Sequence, residues 1–303
     1  EIQVSEASAF SGAIKCNLKD IYSVSGIEAF TSLTELQLFQ NKIFGMDLSK
    51  NTALEILECG NNDLVNLNLS KNTALTKLSC SENDITTLDL SKNTALTELS
   101  CSYNKFTTLD LSNNPLLTKV ISGQGKISTI DLSNLTVLKT LFIHDNEITA
   151  LDLSTNRSLE EATCSKNLLE EVNIANGNNT GITSLSFTDN ATLECIQVDN
   201  PAYSDTASNW NKDATSSYSL DCSTTIISYV NHAATGNNDG TSWADAYTDL
   251  REAFVNAIEG NEIWAAKGTY IRQNTTDRNS VFGWNKDNVK VYGGFDGTET
   301  MLS

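Results

Sequence analysis

The sequence predicts a mainly β protein built as a capped solenoid of stacked coils, with a parallel sheet on its concave side, followed by a second β-rich region. Three observations lead there. A segment of 21 residues recurs almost unchanged; apolar and polar positions alternate inside it as they do in strands; and beyond residue 200 turn residues and a different hydrophobic pattern take over.

Leu54 to Ala74 reads LEILECGNNDLVNLNLSKNTA, Leu75 to Ala95 reads LTKLSCSENDITTLDLSKNTA, and Leu96 opens a third row. The shared pattern, L-x-x-L-x-[LC]-x-x-N-x-[ILF]-x-x-L-[DN]-L-S-x-N-x-x, is that of a leucine-rich repeat, whose period is roughly 20 to 29 residues. Weaker copies start at Leu33, Leu117, Leu138 and Leu159, and again at Ile182 after a two-residue insertion around Asn178 and Asn179. Ile14, Cys16, Ile21 and Val24 keep the same spacing as a degenerate first repeat.

Each position in the row has a physical task. L-x-[LC] is a short strand whose alternate residues point inward, and stacked rows pair these strands into the parallel concave sheet. Asn41, Asn62, Asn83, Asn104, Asn146 and Asn167 recur at one phase, where an amide side chain bonds backbone groups that the turn would otherwise bury unpaired. L-[DN]-L-S alternates again, so the convex side is expected to be extended rather than helical. At about 4.8 Å per coil, nine coils span roughly 40 Å. Gly125 replaces the ladder asparagine and Leu135 the second asparagine of the adjoining turn, so local irregularity is expected there.

Seven cysteines would ordinarily suggest a disulfide framework. The repeat phase argues otherwise for five. Cys16, Cys59, Cys80, Cys101 and Cys164 fall at the inward strand position that Leu38 and Ile143 occupy elsewhere, and are expected to be free thiols in the core. On a parallel ladder their Cβ atoms would lie close to 5 Å apart, against about 3.8 Å in a disulfide. Cys195 is out of phase, because in LECIQVD the inward residues are Leu193, Ile196 and Val198. A Cys195 to Cys222 disulfide is therefore expected to close a terminal cap, which a solenoid needs over its last coil.

The rows around LDLSKNTALTELSCSYNKFTT, the entry GIEAFTSLTEL and the exit LECIQVDNPAYSDTASNW resemble bacterial cell-surface leucine-rich-repeat proteins of the type IX-secreted kind. The resemblance covers about two thirds of the chain. It implies a large secreted or surface protein, often an adhesin, on the outer surface of a Gram-negative bacterium, with the type IX translocon as an export partner. IISYVNHAATGNNDGTSWADAYTDLREAFVNAIEGNEIWAAKGTY and VKVYGGFDGTET are similar to the entry of a right-handed parallel β-helix of the pectin-lyase-like kind, of which this chain would hold the first coils. Strands are expected near Ile227 to Val230, Ile263 to Ala266 and Val289 to Tyr292, with an amphipathic helix near Trp243 to Ala257 and a Gly/Asn-rich turn at Asn237 to Gly240. The expected organisation is an N-terminal cap and degenerate repeat at 1–32, the solenoid at 33–200, a C-terminal cap at 201–223 and the truncated β-helix at 224–303. The start at Glu1 and the lack of a sorting domain read as a piece of a longer, processed protein.

Composition narrows the partners. A net charge of −18, from 38 acidic against 20 basic residues, disfavours nucleic acid and anionic lipid. No apolar run approaches the roughly 20 residues of a membrane span, so no membrane insertion is expected. On the concave sheet one outward column runs Gln37, Glu58, Ser79, Ser100, Ile121, Phe142, Thr163, which sets two large apolar residues side by side. With His144 two residues after Phe142 and Tyr103 placed on the strand before Ile121, they form a candidate patch for a protein or glycan ligand. Scattered surface hydrophobes are the plainer alternative.

Asp47, Asp89, Asp110, Asp131 and Asp152 share a convex column, with Asn68 interrupting. Neighbouring carboxylates repel by roughly 0.8 kcal/mol in water. One carboxylate per coil suits a solvated surface better than a calcium site, which wants about six to eight oxygens. Asp205-Thr206-Ala207 resembles a bacterial O-glycosylation acceptor, with Thr206 as the modified residue. No nucleophile elbow, zinc motif or phosphate loop accompanies the two histidines, His144 and His232, so no catalytic residue, metal or cofactor is expected. The leading expectation is a secreted or cell-surface binding module. An accessory region of a carbohydrate-active β-helix enzyme and a passive stalk or export cargo are the alternatives.

Overall fold

The computed structural model describes residues 4–222, 227–257, 261–268 and 289–298. The chain divides into two compact units, 1–222 and 223–303.

The first unit is a parallel solenoid. Its main sheet has ten strands: Ala13–Lys15, Glu35–Gln37, Ile56–Glu58, Lys77–Ser79, Glu98–Ser100, Lys119–Ile121, Thr140–Phe142, Glu161–Thr163, Ser184–Ser186 and Trp210–Asn211. Every pairing is parallel, and between the full repeats the register steps by one period, as in Leu57↔Leu78 and Leu78↔Leu99. Three residues per strand suffice because each coil adds five or six buried apolar side chains to one continuous core. In the coil from Leu75 these are Leu75, Leu78, Cys80, Ile85, Leu88 and Leu90. Each fully buried leucine stabilises by about 1.5–3 kcal/mol, offsetting the entropy of the turns around it.

On the opposite side the L-x-L segments are extended, as expected, and toward the C-terminal end they become a hydrogen-bonded sheet. Ala150–Asp152, Glu171–Asn173, Cys195–Gln197 and Ser217–Ser219 pair in parallel.

Two asparagine ladders tie the coils together. Asn104 donates from Nδ2 to the carbonyls of Cys80 and Cys101, both at 3.0 Å, and accepts the Ile85 N–H at 3.1 Å. The second series, Asn51, Asn72, Asn93, Asn114 and Asn156, is fully buried; Asn93 donates to the carbonyls of Asn72 at 2.8 Å and Leu69 at 3.2 Å. A third ladder went unread in the sequence: the hydroxyls of Thr76, Thr97 and Thr118 each donate to a carbonyl one coil back, at 3.0–3.1 Å.

The irregularity expected at Gly125 and Leu135 is found at the first and not at the second. Amide-to-asparagine bonds pass from Ile85–Asn104 to Ile127–Asn146, so the Phe106 amide meets no asparagine. The next inter-coil bond, Ser128 N–H to Thr107 carbonyl, is long at 3.4 Å. At Leu135 the turn is unchanged, with the Leu135 N–H 3.0 Å from the Leu132 carbonyl, matching Asn93 and Leu90. The turn is made by backbone; only the side-chain donations to the preceding coil are lost.

The C-terminal end is capped. Asn200 accepts the Tyr203 N–H at 3.2 Å and starts the short helix Pro201–Ser204. Trp210 is buried over the last coil, its indole N–H on the Ile182 carbonyl at 3.2 Å and its ring edge-on to Tyr203 and Tyr218. Cys195 and Cys222 form the expected disulfide, across a separation of 27 residues.

In the second unit Ile227–Val230, Glu262–Ala266 and Lys290–Phe295 form a three-stranded parallel sheet. One face buries Val230, Ile263 and Ala265 with Ala253 and Ala257, the latter two from the helical segment. Next to this core, Tyr229, Trp243, Trp264 and Phe295 form a chain of ring contacts, Trp264 stacking on Phe295 at 4.9 Å. The expected helix at 243–257 is corrected to Leu250–Asn256. The Tyr247 amide bonds the Tyr229 carbonyl at 2.9 Å, and Asn238 Oδ1 takes the Thr248 N–H at 2.7 Å. These partners hold residues 243–248 out of the helix although their apolar spacing is helical, and Asp249 caps its start by accepting the Arg251 N–H.

Candidate functional site

The strands place Ile121 and Phe142 as direct partners on the concave sheet, with Ser100 before them and Thr163 after. Both are half-buried rather than fully exposed. A long side chain on this sheet lies against the neighbouring strand, about 4.8 Å away, which covers part of each.

His144 joins them. It sits two residues beyond Phe142, and its imidazole lies over Gly123, two residues beyond Ile121. A Cβ at Gly123 would lie 2.7 Å from His144 Cε1, so the ring requires glycine on the coil beneath it. Its Nδ1 is buried and has no hydrogen-bond partner among the described residues. Tyr103 is corrected: it is not on the strand, which ends at Ser100, but in the following turn at φ 54, in the left-handed region. Gln40, Asn61, Glu82, Gln124, Asp145 and Lys166 take the same conformation in the other coils, so the coil geometry imposes it. Tyr103 is 50% exposed, on the rim of the concave face rather than its floor.

The floor beside this cluster is made of hydroxyls. Ser81 Oγ lies 3.0 Å from Ser100 Oγ and accepts the Ser102 N–H at 3.1 Å, and Ser102 Oγ accepts the Gly123 N–H at 3.0 Å. Two ion pairs bridge neighbouring columns of the sheet: Lys77 Nζ is 3.1 Å from Glu58 and Lys15 Nζ is 2.8 Å from Glu35. The ion pair with Glu58 holds the Lys77 ammonium above its ordinary value.

The five core thiols are placed as their phase implies. Cys59, Cys80, Cys101 and Cys164 are buried and free, and Cys16 is free and partly buried. Burial pushes Cys59 and Cys101 up to about 12 and Cys80 well above its ordinary value, so these thiols are protonated and unreactive.

On the convex column each aspartate braces its own turn. Asp47, Asp89, Asp110, Asp131 and Asp152 each accept the N–H of the serine two residues on, at 2.9 Å, and Asn68 makes the same bond to Ser70 at 3.1 Å. The bonds from Ser49, Ser91, Ser112 and Ser133 hold the carboxyls of Asp47, Asp89, Asp110 and Asp131 below the usual range. No group of three or more potential metal ligands comes together among the described residues. Thr206 is exposed at the end of the cap helix, its hydroxyl donating to the Tyr203 carbonyl at 2.9 Å.

A second apolar feature escaped the sequence reading. Tyr22, Phe44 and Val65 occupy equivalent positions of three consecutive coils and are 62%, 69% and 53% exposed. Thr86, Thr107 and Ser128 stand there in later coils. Reading that column coil by coil would have found it. Among the described residues no helix is long and apolar enough to cross a membrane.

No family model matches the sequence, and no curated protein matches it. Among solved structures, a leucine-rich-repeat protein of Leptospira interrogans is similar at a TM-score of 0.55 and 17% identity, over 68% of this chain and 59% of that one. The functional domain of InlJ from Listeria monocytogenes, which includes a cysteine ladder, matches at 23% identity over 89% of this chain and 77% of that one, with a TM-score of 0.37. An internalin C2 from the same species matches at 22% identity over 58% of this chain and 75% of that one, with a TM-score of 0.45. The chain spans 59% of the Leptospira protein's length, and that likeness shows the fold, a leucine-rich-repeat solenoid.

Proposed function

We propose that this chain is a secreted or cell-surface binding module, without catalytic activity of its own, that recognises a protein or glycan ligand on the concave face of its solenoid. One observation carries the reading: Ile121 and Phe142 are paired in register with His144 beside them, an apolar cluster on a face whose neighbouring strands present mainly serine, threonine and charged side chains. In a larger exported protein the solenoid displays that face, and the resemblance of its rows to type IX-secreted surface proteins supports the outer surface of a Gram-negative bacterium as its location. Thr206, exposed in an Asp-Thr-Ala context, is the proposed site of O-glycosylation; intact mass above that of the polypeptide, lost on Thr206→Ala, tests it.

The test of the binding reading is an array of glycans and extracellular proteins probed with the wild type, Phe142→Ala and, as a control on another column, Thr86→Ala. Loss of binding in Phe142→Ala alone is expected. Binding that Phe142→Ala leaves unchanged rejects the concave site. A second reading, an accessory region of a β-helix carbohydrate-active enzyme, is favoured by the three-stranded parallel sheet of the second unit. Unsaturated products released from polygalacturonate by the larger protein, and reduced when this region is deleted from it, would decide for it.

A further inference from the structure

We infer that the concave floor between Phe39 and His144 is a subsite for a neutral, linear oligosaccharide lying along the stacking direction of the coils. The inference rests on the concave-face reading and gives it a ligand class. One column of the floor runs Phe39, Gly60, Ser81, Ser102, Gly123, His144 on six successive coils, about 24 Å from end to end at the strand spacing. Both terminal rings lean toward the middle. Phe39 Cδ2 lies 3.5 Å from where a Gly60 Cβ would be, and His144 Cε1 2.7 Å from that of Gly123. Each glycine is thus the seat of a flat ring, and the two rings bracket the serines between them.

Those serines supply the rest of the site. The Ser81 and Ser100 hydroxyls share one hydrogen bond at 3.0 Å, so one of their two hydrogens remains for an incoming acceptor. Ser81 and Ser102 are held in place by the backbone amides of Ser102 and Gly123. Rings at the ends and fixed hydroxyls between them suit the apolar faces and the hydroxyl edges of sugar rings. A protein partner would instead want large buried anchors at the centre of the contact, where this column has serine. Charge selects a neutral chain: the floor column carries no charged residue, and a net charge of −18 repels an anionic glycan.

The test is calorimetric titration of the full chain with neutral hexasaccharides of glucose, N-acetylglucosamine, xylose and mannose, and with an oligogalacturonate as the anionic contrast. Binding of at least one neutral hexasaccharide is expected, weakened about tenfold by Phe39→Ala and by His144→Ala and abolished by Ser81→Asp. Phe39 is partly exposed, so Phe39→Ala leaves the core intact, and circular dichroism verifies that each variant is folded. Binding of no neutral hexasaccharide, or binding that Phe39→Ala and Ser81→Asp leave unchanged, overturns the inference. If a protein on the array binds in a Phe142-dependent way while no neutral hexasaccharide does, the glycan subsite falls and the concave-face reading stands. If array binding is independent of Phe142, that reading falls with it.

Discussion

Asparagine and aspartate do the same kind of work on opposite sides of each coil: both give buried or turning backbone a partner. Asn104 joins two coils through Cys80, Cys101 and Ile85, and the recurrence of asparagine at one phase makes that role legible in the sequence. The phase of the aspartates predicts a solvated surface column but not the serine amide that each accepts, because a bond between residues two apart depends on the local turn. That bond has a pH signature. Asp89, Asp110 and Asp131 have carboxyls held below their unfolded values, so the stability they contribute is present above the unfolded pKa and is lost as pH falls through the folded one. Asn68 makes the same bond without titrating. Asp89→Asn, Asp110→Asn and Asp131→Asn combined are expected to keep the fold and to flatten the loss of denaturant stability as pH falls below the ordinary aspartate value of about 4. An unchanged pH slope would show that these bonds do not stabilise the native state.

At the scale of elements, strands on the concave side were legible to within a residue because three consecutive positions repeat in every row. The helix of the second unit was not. Its apolar spacing runs from Trp243 to Ala257, yet a backbone bond to Tyr229 and a side-chain bond from Asn238 claim the first half. Such contacts come from outside the segment, where periodicity carries no information. The cap behaves differently again, since its disulfide follows from which cysteines fail to fit the phase. Without reductant, denatured protein is expected to titrate as five free thiols and, after reduction, as seven. Reduction is expected to destabilise the cap by about 3 kcal/mol, because the bond closes a long loop in the unfolded chain. Seven thiols without reductant would remove the bond from the account.

For the whole molecule the dominant quantities are charge and the one-dimensional core. A net charge of −18 over the whole chain repels itself in the folded state more than in the expanded one. Raising NaCl from about 0.01 M to about 0.15 M shortens the screening length from about 30 Å to about 8 Å, so the thermal midpoint should rise by several degrees. A midpoint independent of salt would mean that the paired charges, such as Lys77 with Glu58 and Lys139 with Glu160, already balance the repulsion locally. The sequence by itself determined the solenoid, the phase of every inward side chain, the five core thiols and the cap disulfide. Repetition makes this possible: when each coil has the same neighbours, one row describes the environment of all. Only the tertiary structure decided that Tyr103 leaves the strand for a left-handed turn, that Phe39 and His144 lean over glycines, and that serines join into a hydroxyl floor between them. The left-handed turn recurs in every full coil as a property of the coil path; the leaning rings and the hydroxyl floor arise where adjacent coils differ, and the outcome there depends on which side chain meets which across a gap of one strand spacing.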